Sequence, residues 1–429
     1  MPFAGGSVRL DRDEFDREGD KPVNDWTEFG VREGMSISAR SPARDIPEVA
    51  QWFSAFLAEN DAALAEPFRG VTTDGVVPAR TRVRTVMATD AIRDAAAGFL
   101  DLLDTPTRTR LSFPFESNEW RSWFNPHINV YRHGVMLEEL STVQRGAFLD
   151  LLRVTLSPRG YAQARDIMRL NELLAEVTGR PDDFGEWPYF VSFFGEPSAD
   201  VPWGFQLDGH HLAINCVAVG NQLAMTPMFM GSEPCEGRAG RFAGIRVLDV
   251  EQLVGLDLIR SLNADQQHVA IQYASIIPDA IPAHLRHPID NLTQTGAFRD
   301  NAVVPYCGIR ADGFSDEQRA RLVDAIRAYV GWTDDGHAIV KMAEVVGHLD
   351  ETWFAWMGGT GPTDPFYYRL HSPVVLIEFE HLPGVAFDNP EPSRHHIHTV
   401  IRTPNGGDYG ADLLAEHHTR FIHEERSQA

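Results

Sequence analysis

The stretch Arg394-His395-His396-Ile397-His398-Thr399-Val400-Ile401-Arg402 decides how the chain is read. Three imidazoles fall within four residues and β-branched residues follow them, a composition that suits a strand. Side chains alternate along a strand, so His396 and His398 share one face with Cα atoms about 7 Å apart. Two imidazoles at that spacing can close on a single metal ion. Val400 and Arg402 continue the same face.

A His-x-His pair needs a third ligand. Gly204-Phe205-Gln206-Leu207-Asp208-Gly209-His210-His211-Leu212-Ala213-Ile214-Asn215 offers two candidates. A strand over 206–219 turning at Gly220-Asn221 would point His210 and His211 to opposite faces, so one of them ligates. Asn215 marks His211's side as polar, which makes His211 the first choice. A bulge at Gly209 would re-aim both. Asp208 is placed to orient an imidazole through a hydrogen bond.

Further polar groups surround these stretches. Pro373 to Glu380 reads as a strand with Glu378 and Glu380 on one face and His371 and His381 at its flanks. Glu380 can serve as a fourth ligand or a general base; the alternative is a solvated strand face. Arg402 can hold an anionic substrate with both arms of its guanidinium, or stand in a buried ion pair. Glu119-Trp120-Arg121-Ser122-Trp123-Phe124-Asn125-Pro126-His127 sets polar groups among aromatics, which suits a pocket wall or a Trp-packed core edge.

Outward from the site, elements come in blocks. Helical spacing of apolar residues predicts helices over 46–65, 90–103, 143–156, 161–177, after 250, 314–330, 341–346 and 411–423. Thr105-Pro106 is read as the stop of the second helix, and Pro158-Arg159-Gly160 as a break between the next two, an antiparallel pair. Short strands are expected within 109–136, then at 190–195, 222–226, 367–370, 374–380 and 396–401. Blocks rather than strict alternation predict an α+β fold with a largely antiparallel β-sheet and packed helical layers. Residues 1–40 read as a polar arm, and 41–429 as one domain.

The chain has 429 residues, 38 Lys and Arg against 61 Asp and Glu, and a formal charge of −23. That surface repels nucleic acid backbones and anionic membranes, so neither is an expected partner. Three scattered cysteines, Cys216, Cys235 and Cys307, argue against a disulfide framework or a thiolate zinc site. The N-terminus lacks the apolar core of a secretory signal, and no apolar run reaches the roughly 18 residues of a membrane span, so a cytoplasmic location is expected. Phosphate-loop, H-E-x-x-H, nucleophile-elbow and dinucleotide fingerprints are missing.

The run Trp203 to Asn215, the run Val219 to Pro234 with its Thr226-Pro227-Met228-Phe229, and His396 to Pro404 resemble the DUF3500 family. So do Leu156-Ser157-Pro158-Arg159-Gly160-Tyr161 and Trp353-Phe354-Ala355-Trp356. The resemblance covers 110–415. It implies membership of a family of unassigned function and no reaction.

The residues themselves point to a divalent transition metal, Zn, Fe or Cu, on His396, His398 and His211 or His210. Metal-assisted hydrolysis or lyase chemistry on a small-molecule substrate is the leading expectation, with Asp208, Glu380 and Arg402 as the working polar groups. Met225, Met228 and Met230 are oxidation liabilities and favour the redox-silent reading over an iron or copper oxidoreductase. A non-catalytic binding protein with a closed, four-ligand structural metal is the third possibility. Oligomeric state is left open.

Overall fold

The structure is a computed structural model that describes residues 26, 30–32, 47–78, 89–128, 131–287 and 289–417. The arm expected at 1–40 lies almost wholly outside the described residues, as does the last helix beyond 417. Among the described residues a single sheet joins β1 (Ser112–Phe113), β2 (Val135–Met136), β3 (Tyr189–Phe194), β4 (Trp203–Gly209), β5 (Leu212–Val219), β6 (Gln222–Ala224), β7 (Met228–Ser232), β8 (Ile271–Tyr273), β9 (Ile309–Arg310), β10 (Trp353–Gly358), β11 (Phe366–His371), β12 (Leu376–Leu382) and β13 (Ser393–Arg402). Its order is β1-β3-β4-β5-β7-β13-β12-β11-β10-β8, with β2 on β3, β6 on β5 and β9 on β10. All neighbours are antiparallel except β1 with β3 and β8 with β10. The class is α+β, as the blocks of elements predict.

The helices are α1 (Pro47–Ala65), α2 (Asp90–Asp101), α3 (Thr105–Leu111), α4 (Thr142–Thr155), α5 (Pro158–Thr178), α6 (Asp249–Ser261), α7 (Ala264–Ala270), α8 (Asp316–Val330) and α9 (Asp335–Gly347). Capping chemistry sets several of their ends. Ser141, Ser157 and Ser315 each accept a hydrogen bond from the backbone of the first turn, and Gly179 closes α5 in the left-handed conformation. Two helix-breaking readings are corrected by the same chemistry. Pro158 occupies the first turn of α5, where its missing N–H is no loss, and Thr105-Pro106 opens α3 behind the Asp104 cap. The pair expected of α4 and α5 is also corrected, since α4 lies chiefly against α2.

The two sheet faces differ in what covers them. One carries Leu207, Ile214, Met228, Ile377, Phe379, Ile397 and Ile401 into a core shared with residues of α2, α4, α5, α6 and α8. The other carries Ala213, Val217, Phe229 and Val400, and meets Trp120, Trp123, Phe124 and Ala297 from loops. The register places His398, Glu380 and Tyr367 in one row across this second face, and Arg402, Leu376 and His371 in another. Both faces are therefore covered over the central strands. This corrects the solvated-face reading of Glu378 and Glu380, which are both fully buried.

Candidate metal centre

β4 and β5 are joined by a turn of two residues, His210 and His211, with Gly209 paired to Leu212. The expected continuous strand over 206–219 is thus corrected, and with it the opposite-faces argument, which does not apply within a turn. His211 takes a left-handed backbone, φ 61, a conformation that costs a non-glycine residue about 1–2 kcal/mol and is tolerated by histidine better than by most. Its N–H donates to the Asn125 carbonyl at 2.8 Å, and its own carbonyl accepts from Gly231 N at 2.8 Å. Gly231 stands opposite His398 in the β7–β13 ladder, so this glycine ties the turn to the strand. A Cβ there would lie 2.6 Å from the Ile397 carbonyl oxygen and 3.2 Å from His398 Cδ2.

The result is a convergence of three buried imidazoles. His396 Nε2 lies 3.2 Å from His211 Nε2 and 3.2 Å from His398 Nε2, and one ring nitrogen of each falls within 4.8 Å of the others. Two imidazole nitrogens bound tetrahedrally to one zinc at 2.0–2.1 Å stand about 3.3 Å apart. The spacing therefore fits an ion of that size. The His396 ring is oriented for the task. Its Nδ1 is 2.7 Å from the Pro383 carbonyl, which can only accept, so the hydrogen is on Nδ1 and the Nε2 lone pair faces the centre. Glu233 steadies that loop by accepting the N–H groups of Val385, Ala386 and Phe387. Burial, reinforced by the neighbouring rings, holds His211 and His398 well below the usual imidazole range. Both are neutral at pH 7, the form that binds metal.

The remaining expected site residues stand elsewhere. His210 lies behind the cluster: it stacks on His211 with centroids 3.9 Å apart, and its Nδ1 donates to Asn171 Oδ1 at 2.7 Å. The Asn171 amide nitrogen donates to the Gly185 carbonyl, which fixes that direction. Asp208 accepts from Phe124 N at 2.9 Å and so shapes the loop that carries Asn125 rather than an imidazole. Glu380, though the cross-strand neighbour of His398, is clasped by Asn291 Nδ2, by the N–H groups of Leu292 and Thr293, and by the Thr293 hydroxyl, at 2.6–3.1 Å. Arg402 is the buried ion pair of the two readings. It donates to Asp300 at 2.7 Å, Asp408 at 3.3 Å and the carbonyls of Thr295 and Gly296. Its substrate-holding reading is set aside because every guanidinium nitrogen is occupied.

These features define the class: an α+β protein with a three-histidine candidate metal centre on one face of its sheet. The chain belongs to the DUF3500 family of proteins of unknown function, whose family model matches residues 85–411. The match begins ahead of residue 110, where the sequence resemblance starts, and includes all three histidines. Comparisons with curated proteins and with solved structures gave no match.

So many buried neutral imidazoles make stability depend on pH. Burial lowers His127, His133 and His287 to about 4 and His371 to about 3, and holds His210, His211, His381 and His398 well below 6.5. The unfolded chain takes up these protons below about pH 6.5 and the fold does not, so stability is present above that pH and lost as it falls. Each contributes up to about 1.4 kcal/mol per pH unit. Burial raises Asp290 to about 6 and Glu380 to about 8, and pushes Asp208 and Asp408 up as well, which acts in the opposite sense, but the histidines outnumber these acids. Urea unfolding of the metal-free chain is expected to lose several kcal/mol between pH 7 and pH 5. A flat profile would contradict the neutral, buried cluster.

Proposed function

We propose that the protein is a metal-dependent enzyme, with one divalent transition-metal ion on His211, His396 and His398 and a hydrolytic or lyase reaction on a small molecule. The carrying observation is the convergence of three imidazole nitrogens, with no fourth His, Cys, Asp or Glu joining the cluster among the described residues. A closed structural zinc site brings four protein ligands and usually thiolates, whereas catalytic sites keep a position open. Three neutral ligands leave the ion's double charge available to polarise a bound water, which on zinc brings that water's pKa to about 7. The chain's own contribution is placement. Pro383 holds the His396 tautomer, the 210–211 turn delivers His211, and His210 backs it as a stacked support. Phe229 packs at 5.0 Å on His398 and limits water on that side.

In this reading the chain from residue 41 acts as one cytoplasmic unit, with helices layered on the sheet and no nucleic-acid or membrane partner. No helix among the described residues is long and apolar enough to cross a membrane. The same imidazoles suit copper or iron, so spectra separate the reaction classes. The purified protein is expected to be colourless and EPR-silent with zinc bound, and cobalt substitution should give the intense visible bands of a four-coordinate site. An iron or copper EPR signal that changes on admitting oxygen would replace the hydrolytic reading with an oxidoreductase.

A further inference from the structure

Away from the triad, a cavity of about 120 Å³ opens where β6 gives way to β7 and meets the corner between α8 and α9. Met228 and Ile401 form part of its wall. Both belong to the helix-covered face of the sheet, whereas His398 and Val400 lie on the other. The cavity therefore stands across β13 from the histidines and shares no lining residue with them.

The larger part of the wall is apolar. Leu223, Met225 and Val330 join Met228 and Ile401, and the unbranched thioethers adapt to guests of different shape. The polar groups on the helix side are of two kinds. Lys341 and Glu344 neutralise each other at 2.8 Å, and the ammonium also donates to the Val374 carbonyl at 2.7 Å. A charged guest would gain from one of the pair what it loses to the other. Thr333 and His337 instead make no side-chain hydrogen bond among the described residues. Burial lowers His337 below the usual imidazole range, so its ring is neutral at pH 7. A neutral imidazole and a hydroxyl each offer both a donor and an acceptor. Other hydroxyls of the wall are committed: Thr226 donates to Thr403 at 2.8 Å, and Tyr329 is bonded to Tyr368.

We propose that this cavity is a second binding site, for a small uncharged molecule with an apolar body of about four to six carbons and one hydroxyl or carboxamide. Size sets the body, since an engineered apolar cavity of about 150 Å³ takes up benzene. Thr333 and His337 receive the polar head. Charge is selected against, because a carboxylate or an ammonium would give up its water and meet a counter-ion that is already paired. The inference stands apart from the metal reading, which concerns the opposite face.

The probes are n-butanol, butyrate and butylammonium, which share an alkyl body and differ in charge. Each is titrated into the full chain, with isotope-labelled methionine methyl groups followed by NMR. n-Butanol is expected to shift the Met225 and Met228 signals saturably and to leave Met357, on β10, unmoved. The two ions should bind at least about tenfold more weakly. Ala338→Leu enlarges a buried side chain of the wall. It should abolish the saturable shifts and melt at or above the wild-type temperature, as cavity filling commonly does. Thr333→Val keeps the side-chain shape and should weaken n-butanol about fivefold. His396→Ala should bind n-butanol as the wild type does. Failure of Met225 and Met228 to respond saturably would overturn the site, and so would an ion that binds as tightly as the alcohol. An affinity unmoved by Thr333→Val would do the same, whatever the stability of Ala338→Leu. Loss of binding in His396→Ala would move the alcohol to the metal centre and refute the cavity.

Discussion

Arg402→Ala is expected to lower unfolding free energy by about 3–5 kcal/mol or more, the cost of stranding a buried countercharge. The guanidinium sits at 0% exposure between Asp300 and Asp408, themselves buried. It also takes the carbonyls of Thr295 and Gly296. Without it, Asp408 loses its cation, and Asp300 keeps Arg121, at 2.8 Å, and the Tyr409 hydroxyl, at 3.0 Å. Arg402→Lys keeps the charge but not the planar fork, so it should fall between the two. Urea unfolding at pH 7 reads the effect directly, and metal content at low temperature should stay near wild type. A loss below about 1 kcal/mol would mean that the pair is solvent-screened, contrary to its burial.

His398→Ala and His396→Ala are expected to abolish stoichiometric metal binding. Altering a residue that merely orients a ligand typically costs 10–100-fold in metal affinity, and removal of a ligand from a three-ligand site should cost more than about 100-fold. The rise in melting temperature produced by metal should vanish with it. That rise corresponds to about 2.7 kcal/mol at a metal concentration 100 times Kd. His211→Ala should behave alike, whereas His210→Ala should retain metal, since its Nδ1 is bonded to Asn171 and its ring is a stacked support. Calorimetric titration of metal into the four variants checks this. Equal losses in His210→Ala and His211→Ala would contradict the geometry.

Much of the site was legible because a strand's alternation is a local property. His396 and His398 share a face by sequence alone, and β13 is regular through Arg402. The turn at His210-His211 was not legible. Hairpin turns announce themselves through Gly or Asn, and here a histidine takes the left-handed position that those residues favour. Strand parity favours His211, yet it reaches the cluster through turn geometry. The surroundings of Glu380 and Arg402 were not legible for a different reason. Their partners, Asn291–Thr293 and Asp300 with Asp408, are mostly far along the chain, and burial of both sheet faces cannot be seen in an alternating pattern. Of the two readings of the stretch Glu119 to His127, the Trp-packed core edge fits Trp120, Trp123 and Phe124, which lie in a buried apolar cluster.

The most direct test of the central claim is elemental analysis of the full-length chain purified without chelator, run beside His396→Ala. The account predicts close to one equivalent of a single transition metal per wild-type chain and almost none in the variant. A wild-type chain without bound metal after loading and desalting, or a variant that keeps its equivalent, would contradict it.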